Sequence, residues 1–201
     1  MTAANQIQLV TVDEYLAGEL RSKMKHEYTG GYVYARAGAT AVHNTIAVAF
    51  VSQMYNALRG KPCRPFNSDM KVRVRMASHT RFYYPDGMVV CELNPPREVF
   101  QDRPVILAEV ISEATRRIDE GEKRDAYLAI PELRAYLLIE SSSPRVIADH
   151  RTDSGFVSMR YEGLDATIPL DAIGTQLVLR ELYENVDFAG AAQGEDSRES
   201  E

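Results

Sequence analysis

Two short runs, Val105–Ile111 behind Pro104 and Ala135–Ile139, are apolar but for Glu109 and bracket a charged stretch closed by Pro131. That order restricts the fold more than any other feature of the chain. Each run has strand length, while the stretch from Asp119 to Ile130 is long enough for a helix. A helix between two core strands specifies an α/β or α+β domain with a central mixed β-sheet flanked by helices.

The rest of the chain supplies the flanking elements. Thr11-Val12-Asp13-Glu14 has the form of a capping box and starts a helix over Val12–Leu20. His26–Tyr28 and Tyr32–Tyr34 flank Thr29-Gly30-Gly31 as a hairpin. Val42, Ile46, Phe50, Met54 and Leu58 recur every four residues, which predicts one apolar helical stripe over Ala41–Leu58, ended by Gly60 and Pro62. From Met70 to Arg75 the pattern alternates, with Lys71, Arg73 and Arg75 on one strand face. Phe82–Tyr84 and Met88–Cys91 are β-prone on either side of Pro85-Asp86-Gly87. Val146–His150 and Phe156–Tyr161 pair across Asp153-Ser154-Gly155, and a short helix follows near Leu179–Glu184. With 201 residues, 45% hydrophobic and 26% charged, the composition is that of one domain over residues 1–190. The acidic segment 191–201 reads as disordered.

Several classes are excluded on composition. The N-terminus lacks the basic start and apolar core of a signal peptide. The long uncharged stretch Ala37–Leu58 carries too many polar side chains to face lipid, so it reads as a buried helix and no membrane is expected. Cys63 and Cys91 have no metal-ligand spacing and form no disulfide framework, which places the chain in a reducing compartment, the cytoplasm. The four histidines show no zinc spacing. His43, at the start of the long helix, reads as a cap or core histidine. A formal charge of −6 argues against a dedicated nucleic-acid binder, yet Arg59–Arg81 holds seven cations against the single acid Asp69.

Among residues that carry chemistry, Glu109 stands out physically. Neither face of its strand is solvated, so its carboxylate falls among apolar neighbours and needs a partner or a metal. Asp86 sits in Pro-Asp-Gly, a turn signature that requires no chemistry. Lys123 lies in the charged run Asp119–Arg124 and Glu27 in the first hairpin; each alone reads as a surface residue.

Read together and in order, these segments resemble the Uma2 family of the PD-(D/E)XK, restriction-endonuclease-like superfamily. The matching pieces are Thr11–Leu16, His26–Val33, Ala37-Gly38-Ala39 leading to His43-Asn44, Ser68–Val72, Tyr84–Val90, Glu109–Ser112, Asp119–Lys123 with Tyr127, and Tyr136–Ile139. The resemblance covers Thr11 to Arg151, and its specificity lies in order and spacing. It implies a restriction-endonuclease-like fold in which Asp86 and Glu109 hold Mg²⁺ or Mn²⁺, hard ions suited to oxygen ligands, with Glu27 as an additional acid. The superfamily's usual lysine two residues after the second acid is Ile111 here, and Lys123 matches the position that takes over in Uma2-like sequences.

The implied activity is metal-assisted hydrolysis of nucleic-acid phosphodiester bonds, with DNA as the expected partner. Lys123 would orient water or stabilise developing charge, and Lys71, Arg73 and Arg75 would hold the nucleic-acid backbone. The competing class is a weak or inactive nuclease fold used as a binding module, favoured by Ile111 and by the overall acidity. Superfamily members often act on two strands through two subunits, so a homodimer is also expected, with the uncharged helix either offering apolar surface to a second copy or used up by its own core.

Overall fold

Thr11 caps the first helix as its spacing predicts. Its hydroxyl accepts the Glu14 N–H at 3.3 Å while the Glu14 carboxylate accepts the Thr11 N–H at 2.8 Å, so two otherwise orphaned donors are satisfied. The computed structural model describes residues 9–36 and 38–188, and the segment 191–201 lies outside the described residues. After α1 (Val12–Glu19), strands β1 (His26–Thr29) and β2 (Tyr32–Ala35) form the predicted hairpin. Gly30 and Gly31 adopt φ of 55° and 104° at its turn, a left-handed backbone that glycine takes without strain.

Helix α2 (Ala41–Ala57) leads to β3 (Arg64–Asn67), β4 (Lys71–Arg75), β5 (Thr80–Tyr83), β6 (Gly87–Val90), the two-residue β7 (Phe100–Gln101) and β8 (Pro104–Ile111). The helical connection that follows comprises α3 (Glu113–Arg117), a π turn (Ile118–Lys123) and α4 (Arg124–Leu128). It starts six residues earlier than the charge pattern indicates, because Ser112 and Thr115 close a cap ahead of it. Strand β9 (Ala135–Glu140) runs parallel to β8, completing the strand–helix–strand unit. The hairpin β10 (Arg145–Thr152) and β11 (Gly155–Glu162) follows as predicted, and then β12 (Thr167–Leu170), β13 (Thr175–Val178) and α5 (Leu179–Leu182).

The strands form two main sheets. The larger, mixed one has the order β11-β10-β9-β8-β6-β3; a second has the order β2-β1-β5-β4-β7. Strands β5 and β6 therefore do not pair with each other across Pro85-Asp86-Gly87. That tripeptide carries the chain from one sheet into the other, and Gly87 has no positive φ. What Gly87 provides is closeness, since a Cβ there would lie 2.3 Å from the Phe50 ring.

Alternation sorts the core into layers. Ile106, Ala108 and Val110 of β8 face α2, α5 and the β12–β13 hairpin, packing with Ile46, Phe50, Met54, Leu137 and Leu177. Leu107 and Ile111 face the opposite way, towards α4 and the second sheet, and pack with Tyr127, Tyr136, Val72 and Tyr83. Beyond that sheet, Tyr15 of α1 closes a small aromatic cluster with Tyr28, Phe82 and Phe100.

Two expectations are corrected. Only one side of α2 is buried: Val48 and Tyr55 on the other are 57% and 60% exposed, and that side lines an open groove with Gln176, Val178 and Glu181. Cys63 and Cys91 are joined as a disulfide. Continuing the Arg64↔Val90 register of β3 and β6 by one residue sets the two cysteines opposite each other, a proximity that their linear spacing does not reveal. Among the described residues no helix is long and apolar enough to cross a membrane.

Candidate functional site

Glu109 projects from β8 into the layer between the two sheets and is 2% exposed. Its Oε1 accepts the Tyr127 hydroxyl at 2.8 Å and the Lys123 ammonium at 3.3 Å. Continuing the Gly87↔Ala108 register of β6 and β8 by one residue sets Asp86 opposite Glu109. The crossing between sheets thus delivers a carboxylate to the place where β8 presents its own. The Asp86 carboxylate accepts the Val110 backbone N–H at 2.8 Å, the Arg36 guanidinium at 2.5 Å and His43 Nε2 at 2.9 Å.

The partners of Asp86 are placed by local structure. Arg36 extends the β1–β2 ladder, its N–H donating to the Lys25 carbonyl at 2.9 Å. His43 lies in the first turn of α2, where its N–H donates to the capping Thr40 hydroxyl at 3.2 Å. It is a carboxylate partner rather than a cap or a plain core residue. Glu27, from β1, accepts the Tyr84 N–H at 3.4 Å.

Lys123 lies at the centre of the cluster. Its Nζ is 3.2 Å from Glu27 Oε1, 3.3 Å from Glu109 Oε1 and 3.3 Å from Asp119 Oδ1, and the residue is 7% exposed. The π turn helps to explain why a lysine in so charged a run is buried. Asp119, Lys123 and Tyr127 follow one another at intervals of four along the connection, and all three are buried. Their spacing was available in the sequence as a signal for Asp119 and Tyr127, which the residue-by-residue reading did not single out. Arg36 had no such signal, being a lone cation after a strand.

The charge balance of the cluster is unusual. Burial pushes the Glu109 carboxyl up to about 8, against the pull of Lys123 and with Asp86 and Asp119 pushing the same way. Burial likewise raises Asp119. Burial opposes ionisation of Asp86 too, but there His43, Arg36 and the Val110 N–H prevail and hold it below the ordinary aspartate value. Lys123 is raised: burial favours the neutral amine, but Glu109, Glu27 and Asp119 together outweigh it. Four carboxylates thus face the Lys123 ammonium, the Arg36 guanidinium and the His43 imidazole, and burial among neighbouring acids is what raises Glu109.

Among the described residues, no three His, Cys, Asp or Glu side chains are arranged as a ready metal-ligand set; Lys123 and Arg36 hold the carboxylates instead. The donor chemistry nevertheless suits a hard divalent cation. The oxygens belong to carboxylates, and these outnumber the Lys123 and Arg36 side chains that hold them.

The cation face of β4 is not brought to this cluster. Register pairs Arg73 with Phe82 and Val72 with Tyr83, so Lys71, Arg73 and Arg75 lie on the sheet face turned towards α1. Lys71 is buried against Tyr84, donating to its hydroxyl at 3.2 Å. Arg73 forms a two-pronged pair with Asp102 and stacks over Phe100. Arg75 is the exposed member.

Residues 12–180 match the family model Uma2, described as "Putative restriction endonuclease". Two uncharacterized proteins of Synechocystis sp. are similar in sequence. One is 31% identical over 178 residues, 88% of this chain and 92% of that protein. The other is 30% identical over 142 residues, covering 69% and 79% respectively. A solved structure from Anabaena variabilis, a "putative nuclease belonging to DUF820", is similar with a TM-score of 0.69 at 16% identity, over 87% of this chain and 98% of that one. This likeness shows the fold: mixed sheets flanked by helices, as the order of elements led us to expect, and restriction-endonuclease-like, as the family resemblance implied.

Proposed function

Because the chain belongs to the Uma2 family, we propose that it is a metal-dependent nuclease that hydrolyses nucleic-acid phosphodiester bonds at the cluster of Glu27, Asp86, Glu109 and Lys123. The observation that carries this reading is the convergence of buried carboxylates from two sheets on one lysine, with more acid than the local cations balance.

In this reading Asp86 and Glu109 hold Mg²⁺ or Mn²⁺, which when bound would polarise the scissile phosphate and lower the pKa of water. Lys123 orients the attacking water and stabilises charge developing on the phosphoryl oxygens. Its contact with Glu109 supports its standing in for the lysine absent at Ile111, a residue buried in the core beneath the site. Glu27 holds the Lys123 ammonium in place from the second sheet. Arg36, part-exposed at the rim, can exchange Asp86 for a phosphate oxygen. Water adds across one P–O bond, leaving a phosphate monoester on one fragment and a hydroxyl on the other.

The test is cleavage of single- and double-stranded DNA and RNA in Mg²⁺, Mn²⁺ or EDTA, with Asp86→Asn as the control. Metal-dependent cleavage by the wild type should fall by at least about a hundredfold in Asp86→Asn, the loss of a group acting directly on the transition state. Equal rates in the two proteins would refute the assignment.

A further inference from the structure

Strand β2 is the outer edge of the second sheet, and all four of its residues are exposed. Tyr32 and Tyr34 are 46% and 56% exposed. Large apolar side chains along a sheet edge are a liability that folded proteins avoid unless the surface is used. The side on which these tyrosines lie gives them a use.

Directly opposite residues in an antiparallel pair share a face. Tyr34 pairs with Glu27, and Tyr32 with Thr29. Glu27 contacts Lys123, and the Thr29 hydroxyl donates to Glu122 at 3.4 Å. Both tyrosines therefore sit on the sheet face that bears the carboxylate cluster, one strand further out. They are one pleat repeat apart, about 6.6–6.8 Å, which leaves each ring free to meet a separate flat partner. Neither ring takes part in an aromatic pair among the described residues, whereas Tyr15, Tyr28, Tyr83 and Tyr127 all do.

The charge distribution selects that partner. Duplex DNA is bound chiefly through cations along its phosphates, but Lys71 and Arg73 are engaged within the fold on the opposite sheet face. Exposed tyrosines instead recognise bases by their π faces, and those faces are free only in unpaired nucleotides. We propose that Tyr32 and Tyr34 form a stacking platform for the unpaired bases of a single-stranded nucleic acid whose backbone enters the Asp86–Glu109 cluster. This names the substrate class of the site and rests on the nuclease reading above.

Binding is measured by fluorescence anisotropy in the Asp86→Asn background with magnesium present, using a short labelled single strand, its blunt duplex and an abasic strand of equal length. The single strand should bind at least about tenfold more tightly than either comparator. Tyr32→Ser and Tyr34→Ser should each weaken it by about 5–150-fold, the range for losing one base stack. Tyr→Phe at either position should preserve it, and melting temperatures should not change. Equal affinity for abasic and natural strands, undetectable binding, or neutral Tyr→Ser variants would each overturn the platform. So would a Tyr→Ser change that converts a sedimenting dimer to monomer, because β2 would then be the edge that pairs with a second copy. The parent reading fails separately: a base-dependent platform in a protein whose wild type cleaves nothing leaves a binding site without the nuclease. Asp86-dependent cleavage with neutral Tyr→Ser variants leaves the nuclease without the platform.

Discussion

Glu109 faces Tyr127 and Lys123 with almost no access to water, and its carboxyl is pushed up to about 8, chiefly by burial. In the unfolded chain the same group ionises near the ordinary value of 4.5. Between these two values the folded protein keeps a proton that the unfolded chain has released, so folding stability falls as pH rises through that window. The metal-free wild type should therefore lose more melting temperature than Glu109→Gln between about 4.5 and about 8. In the proposed metal-binding reading, saturating magnesium should reduce the wild-type loss, the cation taking the place of the proton. Parallel melting profiles of the two proteins would contradict this account. At this scale the sequence was informative about Glu109, since a charge in an apolar strand is visible in one dimension. The local signature of Asp86 is a common turn, and only the ordered motifs around it bring that residue forward. Its partners Arg36 and His43 lie 50 and 43 residues before it, at distances that only folding closes.

The pairing of α2 with β6 turns on one missing methyl group. Gly87 allows the Phe50 ring to lie where a Cβ would be 2.3 Å away, and it immediately follows Asp86. Gly87→Ala should cost about 1–3 kcal/mol through overpacking and displace Asp86 relative to Glu109. Adding Phe50→Leu should recover part of the stability, and thermal denaturation of the single and double variants checks both. Unchanged stability in Gly87→Ala would mean that the helix shifts freely. The elements themselves were largely legible: the capping box, both hairpins, the α2 stripe and the β8 and β9 runs appear where periodicity places them. Two features were not. The π turn carries Lys123 to the carboxylates of Glu27, Glu109 and Asp119, whereas local propensity describes only ordinary helix. The assignment of β5 and β6 to separate sheets depends on long-range partners that a Pro-Asp-Gly signature cannot specify.

Across the whole molecule, the Cys63–Cys91 disulfide closes a loop with a sequence separation of 28 that contains β3, β4, β5, the Asp86 crossing and β6. The chain-entropy account assigns such a link about 3–4 kcal/mol. Reduction, or paired Cys63→Ser and Cys91→Ser, should lower the denaturation midpoint accordingly while leaving an Asp86-dependent cleavage rate intact below the melting range. Thiol titration of the native protein checks the premise, and two free thiols would refute it. Layers and sheets were legible only in part, because the alternation that puts Lys71, Arg73 and Arg75 on one face does not say which way that face turns. The cluster draws Glu27 from β1, Asp86 from the crossing, Glu109 from β8 and Lys123 from the π turn. No shorter stretch of chain can assemble it. A polypeptide emerging from the ribosome cannot close this cluster until its Lys123 segment has been made and docked, so synthesis itself would delay the onset of the proposed hydrolysis.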